Sequence, residues 1–319
     1  MSAAGPLMEV RDLAVHYGPA KALDGVSLEW RRGEILGIVG ESGCGKSTLA
    51  RALLGLVPPA AGSVSADGEE LGGKASLRTL RRSVQMIFQD PYQTLNPRRR
   101  VREIVAEPLV VTGVEKAGHE ARVARALDEV GLAPARFADR YPHQLSGGQR
   151  QRVAIASTLV LEPAGIVCDE PVSMLDVSVR SQILHVLLEL QRARELALLF
   201  ITHDLSLAWQ LCDRIAVMYL GRIVEQGDAR DVIERPGHPY TQALVEAVPP
   251  RKRRNALGGE LPDPAALPAG CRFHPRCPKR FEPCDQIDPE LYATGEPAHE
   301  AACLLLRGDI SPESRSDIA

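Results

Sequence analysis

The sequence predicts an α/β fold, and three observations carry this prediction. An apolar run at 34–39 is followed by a glycine-rich turn at 40–45 and then by leucines at helical spacing. A second apolar run, at 165–168, precedes a long segment compatible with a helix at 178–194. A third β run follows at 196–201. Short apolar runs that alternate with helical segments are typical of sheets covered by helices.

The bulk composition limits the classes of protein that need to be considered. The chain has 319 residues, enough for one large domain or two, with 45% hydrophobic and 25% charged residues. A net charge of −3 gives no general attraction to nucleic acid, so we expect no nucleic-acid partner. We find no signal-peptide pattern at 1–12 and no apolar run of membrane-spanning length. We therefore expect a cytoplasmic protein, unless a partner holds it at a membrane.

The glycine-rich turn has the G-x-x-x-x-G-K-[ST] pattern of a phosphate-binding loop. Its flanks meet the two conditions of that pattern, a strand before the loop and a helix after it, at 46–56. Backbone N–H groups and the helix N-terminus would attract phosphate, Lys46 would reach the β- and γ-phosphates, and Ser47 would bind Mg²⁺. A glycine-rich turn without a ligand is the alternative, which the correct flanks disfavour. The predicted loop residues are Gly40, Glu41, Ser42, Gly43, Cys44, Gly45, Lys46, Ser47 and Thr48.

The remaining elements can be placed from local patterns. Residues 7–39 have a β pattern, and we expect the turn at 31–33 to close a hairpin. Asp-Gly at 67–68 and Leu-Gly at 220–221 indicate two further hairpins. Residues 101–162 are mostly helical in pattern.

A second anion site is predicted at the start of one of these helices. Ser146 is a plausible N-cap for a helix at 150–161, which would place Gly147, Gly148 and Gln149 at its positive end.

Polar residues follow several predicted strands. Asp169 and Glu170 come at the end of a buried strand, a position from which P-loop proteins bind Mg²⁺ and position the attacking water. Gln89 follows the strand at 84–88 and could offer its amide oxygen to Mg²⁺, although taken alone it fits an ordinary surface loop. His203 follows a third strand and would share a sheet edge with the two acids if the sheet is parallel. Tyr17 ends an early strand. Its ring would either stack on a nucleotide base or have only an ordinary packing role.

The seven cysteines fall into two groups. Three are scattered, at 44, 168 and 212, whereas Cys271, Cys277, Cys284 and Cys303 lie together near the C-terminus. Four thiolates can bind Zn²⁺ or an iron–sulfur cluster, and their spacing does not choose between these metals. Free thiols are the third alternative.

Five features together resemble the nucleotide-binding subunit of an ATP-binding cassette (ABC) transporter. They occur in that family's order, namely the loop at 40–48, Gln89, Leu-Ser-Gly-Gly-Gln at 145–149, Asp169-Glu170 and His203. The resemblance covers residues 7–248. It implies a RecA-like core, an antiparallel β subdomain and a helical subdomain at about 90–160, all within a domain at 1–248.

The resemblance also implies a role for each matching residue. Tyr17 would stack on adenine, and Ser47 and Gln89 would ligate Mg²⁺, with Asp169 acting through water. Glu170 would polarise the attacking water and His203 would orient it. Residues 146–148 would contact the γ-phosphate of an ATP bound to the opposite subunit.

A narrower resemblance points to the second ATPase subunit of oligopeptide and dipeptide permeases. The permease resemblance rests on Phe-Gln-Asp-Pro at 88–91 and His-Pro-Tyr-Thr-Gln-Ala-Leu at 238–244, and Cys-Asp-Glu-Pro-Val-Ser at 168–173 resembles the second subunit type. Cys-Arg-Phe-His-Pro-Arg-Cys-Pro at 271–278 resembles the tail of the same family. In that family the cysteine-rich tail, here 249–319, is associated with a [4Fe–4S] cluster, so we favour the cluster over zinc. The expected partners are a second, different ATPase subunit, two integral membrane permease subunits and an extracytoplasmic substrate-binding protein.

Three rival functions are weighed against peptide import at the cytoplasmic face of the membrane. An importer of nickel or of another small solute shares much of the pattern. A soluble ABC ATPase of DNA repair or translation commonly carries two cassettes or a long coiled coil, and neither is found. A redox-sensing binding module would not need Glu170 and His203. The basic run at 249–254 fits a solvated linker better than a lipid-binding site.

Overall fold

The structure, a computed structural model, describes residues 5–90, 94–248 and 262–307. The contacts divide the chain into two compact units. The first unit contains residues up to 8, 30–34 and 65–199, and the second contains 9–29, 35–64 and the chain from 200 onward. The basic run at 249–254 and Pro91 lie outside the described residues.

Strands and helices alternate along most of the chain. The strands are β1 (Met8–Tyr17), β2 (Ala20–Trp30), β3 (Ile35–Val39), β4 (Ala61–Ala66), β5 (Glu69–Glu70), β6 (Val84–Ile87), β7 (Gly165–Asp169), β8 (Ala197–Thr202), β9 (Arg214–Tyr219), β10 (Arg222–Asp228), β11 (Tyr292–Ala293) and β12 (Glu300–Ala301). The helices are α1 (Lys46–Leu53), α2 (Lys74–Ser83), α3 (Val101–Val111), α4 (His119–Glu129), α5 (Pro134–Phe137), α6 (Gly147–Leu159), α7 (Val177–Arg194), α8 (Leu205–Leu211), α9 (Ala229–Glu234) and α10 (Pro239–Ala247).

The second unit is built on a mixed sheet. Its strands lie in the order β11-β12-β10-β9-β3, and β3 runs parallel to β9. Every residue of β3 is buried, as expected for a parallel strand covered on both faces. A second sheet begins with β2, β1 and β4, which are neighbours in that order. This arrangement fixes the start of the phosphate loop at the end of a rigid strand.

The first unit combines a parallel strand pair with a helical cluster. β6 pairs with β7 in parallel register, with Ile87 opposite Cys168. The helices α3 and α4 both pack on α6, and their buried faces supply Ile104, Leu127 and Ile155. These apolar contacts hold the N-terminus of α6 in place.

Two of the predicted hairpins are confirmed and one is wrong. β4 and β5 pair around Asp67-Gly68, and β9 and β10 pair around Leu220-Gly221; all four turn residues have positive φ. The turn at 31–33 closes no hairpin, because β2 lies beside β1 while β3 lies beside β9. The turn at 31–33 therefore connects β2 and β3 in sequence although the two strands do not pair with each other.

The C-terminal residues extend the sheet of the second unit. β12 pairs antiparallel with β10, placing Ala301 opposite Glu225, and β11 pairs with β12. The buried Glu225 carboxylate accepts hydrogen bonds from the N–H groups of Gly237 and His238, and its Oε1 lies 2.7 Å from Nε2 of His299. A buried carboxylate is costly without partners, and these three contacts satisfy it. They also tie the tail to β10.

In the parts of the chain that the structure describes, we find no helix both long enough and apolar enough to span a bilayer.

Candidate functional site

The predicted phosphate loop follows β3 and leads directly into α1. Gly40 and Gly45 have φ of +156° and +109°, values that side-chain-bearing residues rarely adopt. A Cβ at Gly40 would lie 2.2 Å from the carbonyl oxygen of Met218, and one at Gly45 would lie 2.4 Å from that of Ala22. Both positions therefore require glycine. Because Gly45 cannot cap α1 with a side chain, the first N–H groups of the helix remain suited to an anion.

Lys46 lies over this loop. Its side chain is buried, and Nζ donates to the carbonyl oxygens of Gly40 and Glu41 at 2.8 and 2.9 Å. The positive charge is thereby held against the backbone of the loop. Burial raises the pKa of the neighbouring Cys44 thiol, so this cysteine behaves as a packed, protonated side chain. Ser47 occupies the first turn of α1, and Tyr17 is exposed at the end of β1.

Glu41 is the acidic residue of the loop, and it contacts the C-terminal part of the second unit. Arg276 binds its carboxylate through two hydrogen bonds, Nη1–Oε2 at 2.7 Å and Nη2–Oε1 at 3.1 Å. The N–H of Glu41 donates to the hydroxyl oxygen of Tyr240 at 2.9 Å. The prediction from sequence missed Arg276 and Tyr240. Both lie in segments that carried the family resemblance, but neither segment has a local pattern that indicates contact with the loop.

The first unit brings Gln89 and Glu170 together at the ends of its parallel strands. All five residues of β7 are buried, and the strand ends at Asp169, which is 6% exposed. Nε2 of Gln89 donates to Oε2 of Glu170 at 3.1 Å. Glu170 has φ of +46°, and its carbonyl oxygen accepts from the N–H and the hydroxyl of Ser173. A left-handed glutamate is uncommon, and here the turn to Ser173 holds it.

The predicted second anion site begins α6. Ser146 is the N-cap, as predicted, since its Oγ accepts from the N–H of Gln149 at 3.3 Å while Gln149 Oε1 accepts from the N–H of Ser146 at 3.1 Å. The helix starts at Gly147, three residues before the predicted start. Gly148 packs against α7, where a Cβ would lie 2.5 Å from Cγ1 of Val179.

His203 follows β8 in the second unit and is exposed. Its neighbour Asp204 caps α8 through the N–H groups of Ser206 and Leu207. The joint action of His203 with Glu170 stays a prediction.

The four C-terminal cysteines line one small cavity in the second unit. Burial raises the pKa of Cys271 to about 12 and that of Cys303 to about 11, and also raises those of Cys277 and Cys284. Within the described residues, no three His, Cys, Asp or Glu side chains converge closely enough to hold one metal ion. A single zinc ion needs all four sulfurs at about 2.3 Å. None of the seven cysteines, all of them described, forms a disulfide.

Comparison with known proteins assigns the family. Residues 23–173 match the ABC transporter family model, and residues 224–284 match the model of the oligopeptide/dipeptide transporter C-terminal region. The dipeptide transport ATP-binding protein DppF of Escherichia coli (strain K12) is 43% identical, over 97% of this chain and 97% of its own. The chain belongs to the ABC transporter ATPases. Within them it falls in the group that carries the oligopeptide/dipeptide transporter C-terminal region.

Solved structures of this ABC family support the fold prediction and the ATPase assignment. cbiO1 from Clostridium perfringens, part of the ABC transporter complex cbiONQ, gives a TM-score of 0.66 at 31% identity, covering 78% of this chain and 97% of that one. A dimeric ATP-binding cassette in a post-hydrolysis state, bound to ADP and Pi, gives a TM-score of 0.61 at 29% identity. The match covers 70% of this chain and 99% of that one. The α/β cassette fold is thus confirmed. ABC ATPases bind ATP with Mg²⁺, so these are the expected ligands of the phosphate loop.

Proposed function

We propose that this chain is the ATP-hydrolysing subunit of an ABC importer for dipeptides or oligopeptides, peripheral at the cytoplasmic face of the cell's inner (plasma) membrane. One observation carries the proposal: a phosphate loop and an oligopeptide/dipeptide transporter C-terminal region occur on the same chain. The near-full-length similarity to a dipeptide transport ATP-binding protein supports it. The domain division at 248/249 and the helical subdomain at about 90–160 belong to the same proposal.

The phosphate loop supplies the nucleotide-binding part of the proposed reaction. Backbone N–H groups of the loop other than that of Glu41, together with the Lys46 ammonium, bind the β- and γ-phosphates. Ser47 and Gln89 hold Mg²⁺, with Asp169 contacting it through water, and the ion neutralises phosphate charge when bound. Tyr17 stacks on the adenine. The exposure of Tyr17 and the buried position of Lys46 support these roles.

Glu170 and His203 carry the proposed hydrolytic step. Glu170 polarises a water that attacks the γ-phosphorus, His203 orients that water and the γ-phosphate, and the bond to the ADP oxygen breaks to release phosphate. The hydrogen bond from Gln89 to Glu170 supports the role of Glu170 because it orients the carboxylate. Positioning and electrostatic stabilisation supply most of such catalysis.

A second cassette completes each nucleotide site in this proposal. Ser146, Gly147 and Gly148, with Gln149 in the same turn, offer the N-terminus of α6 to the γ-phosphate held by the other subunit. Ser146 caps the start of α6, so Gly147 and Gly148 open the helix at its positive end, which supports the role. The pair is heteromeric, and it works with two integral membrane permease subunits and an extracytoplasmic binding protein.

Reconstitution tests the transport proposal. The chain is coexpressed with its candidate permease and second ATPase subunits, and the purified complex is placed in liposomes with the binding protein. We expect peptide-loaded binding protein to stimulate ATP hydrolysis, and a complex with Lys46→Ala to show no stimulation. Stimulation by a nickel-loaded or other solute-loaded binding protein, with none by peptides, would contradict peptide import.

We also propose that Cys271, Cys277, Cys284 and Cys303 hold a [4Fe–4S] cluster, with a structural zinc ion as the alternative. The cavity that all four cysteines line supports a ligand shared by their thiols. Anaerobic purification should yield about four iron and four sulfide per chain, since that is the composition of the cluster. Cys284→Ser should lose this iron whereas Cys212→Ser retains it. Stoichiometric zinc without sulfide would favour the alternative, and a metal-free protein would refute both.

A further inference from the structure

We propose that Arg276 is a positioning residue for ATP binding, because it neutralises and fixes the one acidic side chain of the phosphate loop, Glu41. The inference rests on the proposed function of the loop and adds to it a contribution from the C-terminal region. The loop therefore depends on a residue 235 positions away for its affinity for ATP.

Glu41 creates an electrostatic problem within the loop. The loop attracts phosphates through N–H groups, the N-terminus of α1 and the Lys46 ammonium. An uncompensated carboxylate at the second loop position would repel the same phosphates. At an effective dielectric constant of about 20, two unit charges about 10 Å apart repel by about 1.7 kcal/mol, roughly a 15-fold change in affinity.

Arg276 removes this repulsion through a bidentate ion pair. Both guanidinium nitrogens bond the carboxylate, at 2.7 and 3.1 Å, in the fork geometry that gives strong, directional pairs. The Arg276 side chain is 6% exposed and that of Glu41 is 28% exposed. Water therefore screens the pair less than it screens a surface pair. Nη1 of Arg276 also donates to the hydroxyl oxygen of Tyr219 at 3.3 Å, which fixes the guanidinium.

The backbone of Glu41 is held as firmly as its carboxylate. Its N–H donates to the Tyr240 hydroxyl, and its carbonyl oxygen accepts from Lys46. Tyr240 packs against Tyr219 and Phe273, with ring centroids 4.7 and 5.4 Å apart. Three polar groups of one loop residue are thus bonded, two of them to the region after β10. A change in the structure of the region after β10 would therefore alter the phosphate loop at Glu41.

The position of Arg276 links the loop to the cysteine cavity. Arg276 immediately precedes Cys277, and Phe273 lines the cavity together with the cysteines. The backbone conformation that places Cys277 at the cavity also places Arg276 at Glu41. The cysteine-rich tail therefore sets the electrostatics of the phosphate loop.

Measurement of ATP affinity on the purified full-length chain tests the proposal. The variants are Arg276→Met, Glu41→Gln, the double variant and Lys279→Met, which removes one positive charge from the same tail at a residue bonded to Gln242. We expect Arg276→Met to raise the Kd for ATP about tenfold, since it leaves Glu41 uncompensated. Glu41→Gln should bind ATP more tightly than wild type. The double variant removes both charges of the pair and should therefore lie within about twofold of wild type, as should Lys279→Met.

The split between KM and kcat provides a second readout. Arg276→Met should raise KM for ATP and leave kcat at saturating ATP nearly unchanged, because Arg276 acts on binding through Glu41. If Arg276→Met is too unstable to purify, Arg276→Lys keeps the charge, loses the fork and should weaken ATP about threefold.

Two results would overturn the proposal. The first is an Arg276→Met protein that binds ATP as tightly as wild type. The second is a double variant as weak as Arg276→Met alone, which would show a packing role without charge compensation. A wild-type chain that does not bind ATP would instead refute the proposed function itself.

Discussion

Nε2 of Gln89 donates a hydrogen bond to Oε2 of Glu170 at 3.1 Å. Since a carboxylate only accepts, the Gln89 amide must offer its nitrogen to Glu170, which turns its oxygen away. This orientation fits the proposal that the oxygen ligates Mg²⁺ while Glu170 faces the attacking water. The two residues lie 81 positions apart, and the parallel pairing of β6 with β7 brings them together.

Removal of the Lys46 ammonium should abolish tight ATP binding. Lys46 is buried over the loop and is the residue that the loop carbonyls of Gly40 and Glu41 hold in place. We expect Lys46→Ala to raise the Kd for ATP at least about tenfold, because a poorly screened positive charge is lost next to the phosphates. Isothermal titration of ATP into the purified chain measures this. Lys74→Ala, at an exposed residue of α2, is the control, and undiminished affinity in Lys46→Ala would rule out the assignment of the loop.

Gly148 should not tolerate a side chain, because α7 of the same unit packs closely against it. An alanine Cβ would approach Cγ1 of Val179 to 2.5 Å. Overpacking of this kind costs about 1–3 kcal/mol, so the free energy of unfolding should fall by that amount in Gly148→Ala. The double variant with Val179→Ala should recover most of the loss, as measured by urea denaturation. If it recovers nothing, contact with Val179 is not the cause.

Asp176 should make the stability of α7 depend on pH. Its Oδ1 accepts from the N–H of Val179 and the hydroxyl of Ser178, and these bonds hold the pKa of Asp176 below its ordinary value of 3.8. A carboxyl with a lowered pKa in the folded state stabilises the fold above its ordinary pKa, and this contribution is lost as pH falls through the lowered value. Thermal denaturation should therefore separate wild type from Asp176→Ala at pH 7, and this difference should shrink as pH falls below 3.8, the ordinary pKa of the carboxyl. A constant difference across this range would contradict the cap.

Sequence patterns predicted those parts of the fold that depend only on neighbouring residues. The loop at 40–48 follows from glycine spacing and its flanking elements, and the Ser146 cap follows from a four-residue motif. The start of α6 was missed because two glycines of low helix propensity open the helix. The capping box between Ser146 and Gln149 outweighs that cost.

Relationships between distant segments could not be predicted in the same way. The turn at 31–33 has the form of a hairpin, yet β3 pairs with β9, a strand about 180 residues further along the chain. The pair of Glu41 with Arg276 and the contact of Glu225 with His299 also join distant segments. No residue spacing in the sequence encodes them, because they depend on how β10 and the tail close the second unit.

The central claim, that this ABC ATPase uses Glu170 for turnover, is tested most directly by hydrolysis and binding of ATP in Glu170→Gln. Glutamine preserves the size of the side chain but cannot take up a proton or polarise water as a carboxylate does. We predict that Glu170→Gln binds ATP with a Kd close to that of wild type and hydrolyses it at least about a hundredfold more slowly. Near-normal hydrolysis by Glu170→Gln, with ATP binding intact, would contradict the account.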